Sequence, residues 1–194
     1  MPKIVDHDER RRELAAAVGR VIARAGVAEV SIRSVAAESG WSSGALRHYF
    51  ATRGELLAFA CEQVIDQVTE RITTMRVPEG VREGIRAVLL ETMPVDERRR
   101  AEAEIAFSFL ALGLGDPALA QVQRHHFARM YELCLSLAAY VTPGDGDAET
   151  IARRLHAVVD GLTVHVLAGH LTPDEMTARL DDYLGELTAS PTSR

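Results

Sequence analysis

The stretch Ser31–Leu57, SIRSVAAESGWSSGALRHYFATRGELL, decides the fold. Ser31 is an N-cap residue, with a hydroxyl able to accept a bond from a first-turn amide. Ile32, Val35 and Ala36 follow at three- and four-residue spacing and put one apolar stripe on a short helix. Gly40 stands where that helix must stop, because the left-handed C-cap conformation costs glycine least. Trp41 is a large apolar plug, and Ser42 or Ser43 can cap a second helix. That helix carries Leu46, Tyr49 and Phe50 at helical spacing and turns Ser43, Gly44, Ala45, Arg47 and His48 elsewhere. Two short helices joined by a tight glycine-containing turn form a helix-turn-helix, whose second helix is shaped for a DNA major groove.

The outward residues suit that use. Ser43, Gly44 and Ala45 are small enough for close approach to base edges. Arg33, Arg47 and His48 are donors, Arg53 opens the next helix on the same side, and helix N-termini at Ser31 and Ser42 offer amides to phosphate. Tyr49 divides between packing its ring and reaching a phosphate with its hydroxyl. The sequence nominates Ser31, Arg33, Ser42, Ser43, Gly44, Ala45, Arg47, His48, Tyr49 and Arg53 as the DNA-binding set. Val35, Ala36, Trp41, Leu46 and Phe50 are of the types that fill a core.

In order and without gaps, Val35-Ala36, Gly40, Ser42, Leu46, His48-Tyr49-Phe50, Arg53 and Glu55-Leu56-Leu57 resemble the DNA-binding signature of the TetR family of transcriptional regulators. The form Arg47-His48-Tyr49-Phe50 is most similar to the BetI-type branch. Trp41 stands where the family usually has a smaller aliphatic residue, and Arg47 where it often has tyrosine. Both departures bar borrowing another member's operator sequence. The resemblance implies an all-α chain of about nine helices: a three-helix DNA-binding domain over residues 1–53 and a helical effector-binding and dimerisation domain over 54–194. It also implies that the long helix from Arg53 to about Met75 connects the two and acts as a lever.

Charge is distributed accordingly. The net charge is −6, yet residues 1–54 hold nine Lys or Arg against six Asp or Glu, while the remainder holds 13 against 22. The cationic pole lies where phosphates would bind. The Arg10–Arg12 run suits either the DNA backbone or a solvated helix face.

The other helices are bounded by punctuation. They are expected at about 8–25, 81–92, 95–113, 117–141, 147–171 and 173–188, with a loop at 142–146 and a frayed tail at 190–194. On the last two, Leu155, Val158, Leu162, Val166, Leu180, Tyr183, Leu184 and Leu187 give more apolar surface than one small domain needs, which predicts a homodimer through these helices. Gly161, Ala168 and Gly169 would permit close helix approach. The resemblance implies an effector pocket in the body of the second domain. Leu89, Met93, Phe107, Leu110, Phe127, Met130, Tyr131, Cys134 and His165 are its candidates, although core and pocket linings read alike in a sequence.

Other functions find little support. Adjacent His125 and His126 point about 100° apart on a helix and do not chelate together, and His126 with Met130 or His165 with Gly169 offers no second ligand at helical spacing, so no metal is expected from these or from the spread His156, His165 and His170. There is no glycine-rich phosphate loop, G-x-S-x-G elbow or HExxH motif, so neither catalysis nor a cofactor is expected. Cys61 and Cys134 read as small buried apolar residues. No apolar run approaches the ~20 residues of a membrane span, and the polar start MPKIVDHDERRREL resembles no signal segment, which predicts a cytoplasmic protein. The expected function is a repressor that binds a palindromic operator as a dimer and is released by a small, largely apolar effector. The alternative is a partner-controlled or architectural DNA-binding protein without an effector.

Overall fold

Local capping decides where several of the helices begin. The computed structural model describes residues 7–141 and 147–189, apart from the side chains of His7, Asp8 and Ala118, so the expected loop at 142–146 and tail at 190–194 lie outside the described residues. Among the described residues the chain forms nine α-helices: α1 His7–Ala25, α2 Ile32–Ser39, α3 Ser43–Tyr49, α4 Arg53–Thr74, α5 Val81–Leu90, α6 Glu97–Leu112, α7 Pro117–Val141, α8 Ala148–Leu167 and α9 Pro173–Thr188. The all-α architecture is the expected one. A short 3-10 turn at Val27–Glu29, which periodicity does not reveal, separates α1 from α2.

Side chains also cap helices in the rest of the chain. Asp96 Oδ1 accepts from the Arg99 amide at 2.8 Å and Asp147 Oδ1 from Thr150 at 2.9 Å. Thr172 and Glu175 form a reciprocal capping box before Pro173. The expected α8 runs too far. It stops at Leu167, because Gly169 takes φ +73° and lets the His170 and Leu171 amides turn back onto the His165 carbonyl. A reading that carries the helix to the next proline misses this left-handed stop.

The chain packs as two units, residues 1–70 with 100–126, and residues 71–99 with 127–194. The boundaries fall inside α4, α6 and α7. This is a division by packing and differs from the domain boundary expected at 53/54. In the first unit, Val18, Val21 and Ile22 of α1, Val35 of α2, Leu46 of α3, Leu56 and Leu57 of α4 and Phe109 of α6 share one buried cluster. Gly113 closes the corner between α6 and α7: a Cβ there would lie 2.9 Å from the Ala120 Cα, so only hydrogen fits.

In the second unit, Leu89, Met93, Cys134, Leu155, Val159, Met176, Leu180 and Leu184 form the core. Its polar ties are arginine forks. Arg86 holds both carboxylate oxygens of Asp181, at 2.5 and 3.3 Å, fixing α5 to α9. Glu91 accepts from Arg71 at 2.9 Å and Arg99 at 2.5 Å. Burial pushes the Glu91 carboxyl up, but the two guanidiniums outweigh it and hold the group below its ordinary value.

A carboxyl lowered in the folded state contributes stability that is complete above its unfolded pKa and is lost as pH falls through its folded one. Glu91→Gln is therefore expected to lower unfolding free energy by about 1–3 kcal/mol at neutral pH. In denaturant titrations the gap to wild type should close as pH drops below the usual glutamate range. A gap that persists unchanged in acid would show that charge is not what Glu91 contributes.

Candidate nucleic-acid interface

The segment Ser31–Phe50 is built by two reciprocal serines and two glycine or aromatic stops. Ser31 Oγ accepts from the Ser34 amide at 3.0 Å, and Ser34 Oγ accepts from the Ser31 amide at 2.9 Å. Ser34 Oγ also donates to the Glu29 carbonyl at 2.8 Å, which ties α2 to the preceding turn. Gly40, at φ +73°, ends α2. Ser42 Oγ accepts from the Ala45 amide at 3.0 Å and starts α3. Of the two serines able to cap α3, Ser42 does so. Phe50 leaves the helix and packs on Phe59, ring centroids 5.1 Å apart.

This arrangement sorts the side chains of α3 cleanly. Leu46 is fully buried in the first core cluster. Ser42, Gly44, Arg47, His48 and Tyr49 are exposed, Ser43 and Ala45 are half-buried, and Arg33 of α2 is also exposed. Tyr49 keeps 55% of its surface and meets Trp41 and His48 edge-on, each at 5.9 Å. One side of α3 thus holds a single large apolar anchor, and the other offers donors and small residues.

The cations of this region have separate duties. Arg20 and Arg24 both donate to Glu38 at 2.7 Å, holding that carboxyl below its ordinary value and joining α1 to α2. Arg53 Nε donates to the Val30 carbonyl at 2.8 Å and its Nη2 to Val27 at 2.7 Å. Arg53 was expected on the DNA-binding list; with two nitrogens committed to backbone, it clamps α4 to the turn before α2. Arg10 lies over the Trp41 ring at 5.6 Å and Arg11 over Phe59 at 5.0 Å. The Arg10–Trp41 stack was invisible in the sequence, because its members are 31 residues apart. It places a cation next to the turn that starts α3.

Comparison with known proteins fits this geometry. Residues 14–59 match the family described as bacterial regulatory proteins, tetR family, and residues 81–189 match the BetI-type transcriptional repressor C-terminal family. The chain belongs to the TetR family of transcriptional regulators. The HTH-type transcriptional regulator PksA of Bacillus subtilis is 38% identical over 177 residues, covering 86% of this chain and 83% of PksA. A transcriptional regulator from Rhodococcus sp. Rha1 superposes with a TM-score of 0.77 at 29% identity, covering 91% of this chain and 95% of that one. The multidrug binding protein EbrR, solved with imidazole, gives 0.65 at 30% identity, covering all of this chain and 96% of that one. These relatives are named as regulators or binding proteins rather than enzymes.

The candidates in the rest of this TetR chain fall less neatly. Of the nine effector candidates, Phe107 and Leu110 belong to the first unit and the other seven to the second. Leu89, Met93, Met130 and Cys134 are buried and Phe127 and Tyr131 half-buried. Leu110, 42% exposed, and His165, exposed beside His170, face outward and drop out as pocket lining. Burial pushes the Cys134 thiol up to about 12, as it does Cys61, so neither is a thiolate at neutral pH. Among the dimer candidates, Leu155, Val166, Leu180 and Leu184 fill the chain's own core and cannot line a contact with a second copy. Val158, Leu162, Tyr183 and Leu187 remain half-exposed. The outward side of α8 around Gly161 is instead Ala157, Val158 and Val164, flanked by exposed Arg153, Arg154 and His165, with open space above Gly161.

Three outcomes are expected in DNA-binding and melting experiments run together. Arg47→Ala and Arg33→Ala should each weaken DNA retention while leaving the melting temperature within about 2 °C, because an exposed side chain contributes little to stability. Arg53→Lys should instead lower stability by about 1–2 kcal/mol, since an ammonium cannot fork onto two carbonyls, and weaken DNA binding indirectly. Trp41→Leu should reduce the salt dependence of binding as Arg10→Ala does. The double variant should then be no worse than either single one.

Proposed function

We propose that this chain is a ligand-responsive repressor that binds a palindromic operator as a homodimer in the cytoplasm and releases it when a small, largely apolar effector binds. The observation that carries the DNA half is the sorting of α3: one buried anchor, and an exposed face of small residues and donors. Ser31, Arg33, Ser42, Ser43, Gly44, Ala45, Arg47, His48 and Tyr49 would meet the duplex, with Arg10 held ready by Trp41. Residues 1–53 would form the DNA-binding domain and 54–194 the effector and dimerisation domain, joined through α4 as a lever.

The BetI-type match over residues 81–189 and the likeness to a multidrug binding protein support the effector half. Half-buried Phe127 and Tyr131, with Met93 and Met130 of the same unit, supply an apolar and adaptable lining. The open space above Gly161 on α8 suits a close helix contact with a second copy. A two-fold dimer presents two recognition helices to half-sites about one helical turn, ~34–36 Å, apart, or somewhat wider. An effector that prefers the mismatched spacing by several kcal/mol shifts the population off the operator.

The test begins with selection of bound duplexes from a random pool. Expected are an inverted repeat, retention that weakens steeply with salt, a dimer by light scattering, and a monomer for Gly161→Arg. A monomeric wild type with no sequence preference would sink the proposal. A dimer that binds a palindrome but is released by no compound in a broad panel would leave a DNA-binding protein without a small-molecule effector.

A further inference from the structure

The carboxamide of Gln123 breaks the pattern of the first unit's interior. Gln123 lies on α7 and is only 6% exposed, yet neither its Nε2 nor its Oε1 has a hydrogen-bond partner among the described residues. The two other buried polar residues among those described behave differently. Gln63 donates to Asp66 at 3.4 Å, and neither it nor Thr163 leaves a buried side-chain atom unpaired. Gln123 shares its stretch of helix with Leu119 and Val122, both packed against the apolar cluster. Three residues further on, His126 meets Phe107 of α6 edge to face at 5.9 Å. The tight Gly113–Ala120 corner fixes the start of α7, one turn before Gln123.

An amide so placed is a loss to the fold. Leucine or methionine would fill the same volume without leaving buried donors and acceptors unpaired. A retained loss of this kind marks a place where the chain pairs with something other than itself. The chemistry of the group limits what that is. A carboxamide offers two N–H donors and one acceptor in a plane, so the group that satisfies both ends is another amide, presented edge-on as a reciprocal pair. A charged ligand would trade its hydration for two amide dipoles and be disfavoured. The apolar neighbours and the Phe107 ring call for an apolar, preferably planar, body.

We propose that Gln123 is the polar recognition group for a neutral effector that carries a primary amide or lactam on an apolar ring. This rests on the reading of the chain as an effector-responsive regulator, and it adds the chemical class of the effector and the residue that reads it.

The probes are benzamide and 2-pyridone, with benzoate and ethylbenzene as charged and apolar controls. Both amides are expected to raise the wild-type melting temperature in a concentration-dependent way and the controls not to. In amide-proton NMR spectra, the side-chain NH2 signals that vanish in Gln123→Leu should be those that move when benzamide is added to wild type. Gln123→Leu and Gln123→Met should melt at or above wild type, by up to about 4 °C, and should bind DNA as wild type does. Both should lose the benzamide response.

Equal stabilisation of wild type and Gln123→Leu by benzamide would overturn the proposal, as would no response of wild type to either amide. So would lower melting of both variants without ligand, which would show that the amide supports the fold. The two readings fail separately. If another compound releases operator from wild type and Gln123→Leu alike, the regulator stands and this assignment falls. If benzamide binds through Gln123 but releases no DNA, the site stands and the regulatory reading falls.

Discussion

Seven residues of helix have no stability of their own in water, so whatever α3 presents to a partner depends on how it is held. Leu46 is its one fully buried side chain, and it enters a cluster fed by α1, α2, α4 and α6. The clamps lie at the ends: Ser42 on the first turn, Phe50 on Phe59 after the last, and Arg53 drawing α4 onto the carbonyls of Val27 and Val30. With so little of α3 needed for anchoring, the rest of its surface is free to be polar and close-fitting. The separation of anchor from reading face is what allows one short helix to be both stable and informative.

The same economy governs charge. A count of nine cations in the first 54 residues suggests a uniformly positive surface. The structure spends several on itself. Arg20 and Arg24 share Glu38, and Arg53 is occupied by backbone. Those left toward solvent near α3 are Arg33 and Arg47, with Arg10 stacked on Trp41. A guanidinium resting on an aromatic face loses little hydration and much rotamer freedom, so it reaches a phosphate with less entropy still to lose. Trp41, an odd residue by the standards of the family signature, acquires a reason in this contact.

The second unit shows the limit of apolar counting. Leu155, Val166, Leu180 and Leu184 read as surplus surface because a helical stripe does not say what lies opposite it. Within the chain, α5 and α7 already cover them, with Arg86 and Asp181 fixing α5 against α9. The outward side of α8 around Gly161 mixes Ala157, Val158 and Val164 with the exposed Arg153, Arg154 and His165, and no apolar stripe marks it out. Leu110 and His165 face outward for the same reason: residue type and helix do not give the azimuth.

The sequence by itself determined the helices and the signature between Ser31 and Leu57. Caps, glycines and apolar spacing act within a few residues, and those forces are written locally. It thereby determined the all-α class and the family. Only the tertiary structure decided which arginines reach solvent near α3, which apolar faces are already covered, and that Gln123 is buried without a partner among the described residues. Each of these depends on residues brought together from distant parts of the chain, and no local pattern encodes the far side of a contact.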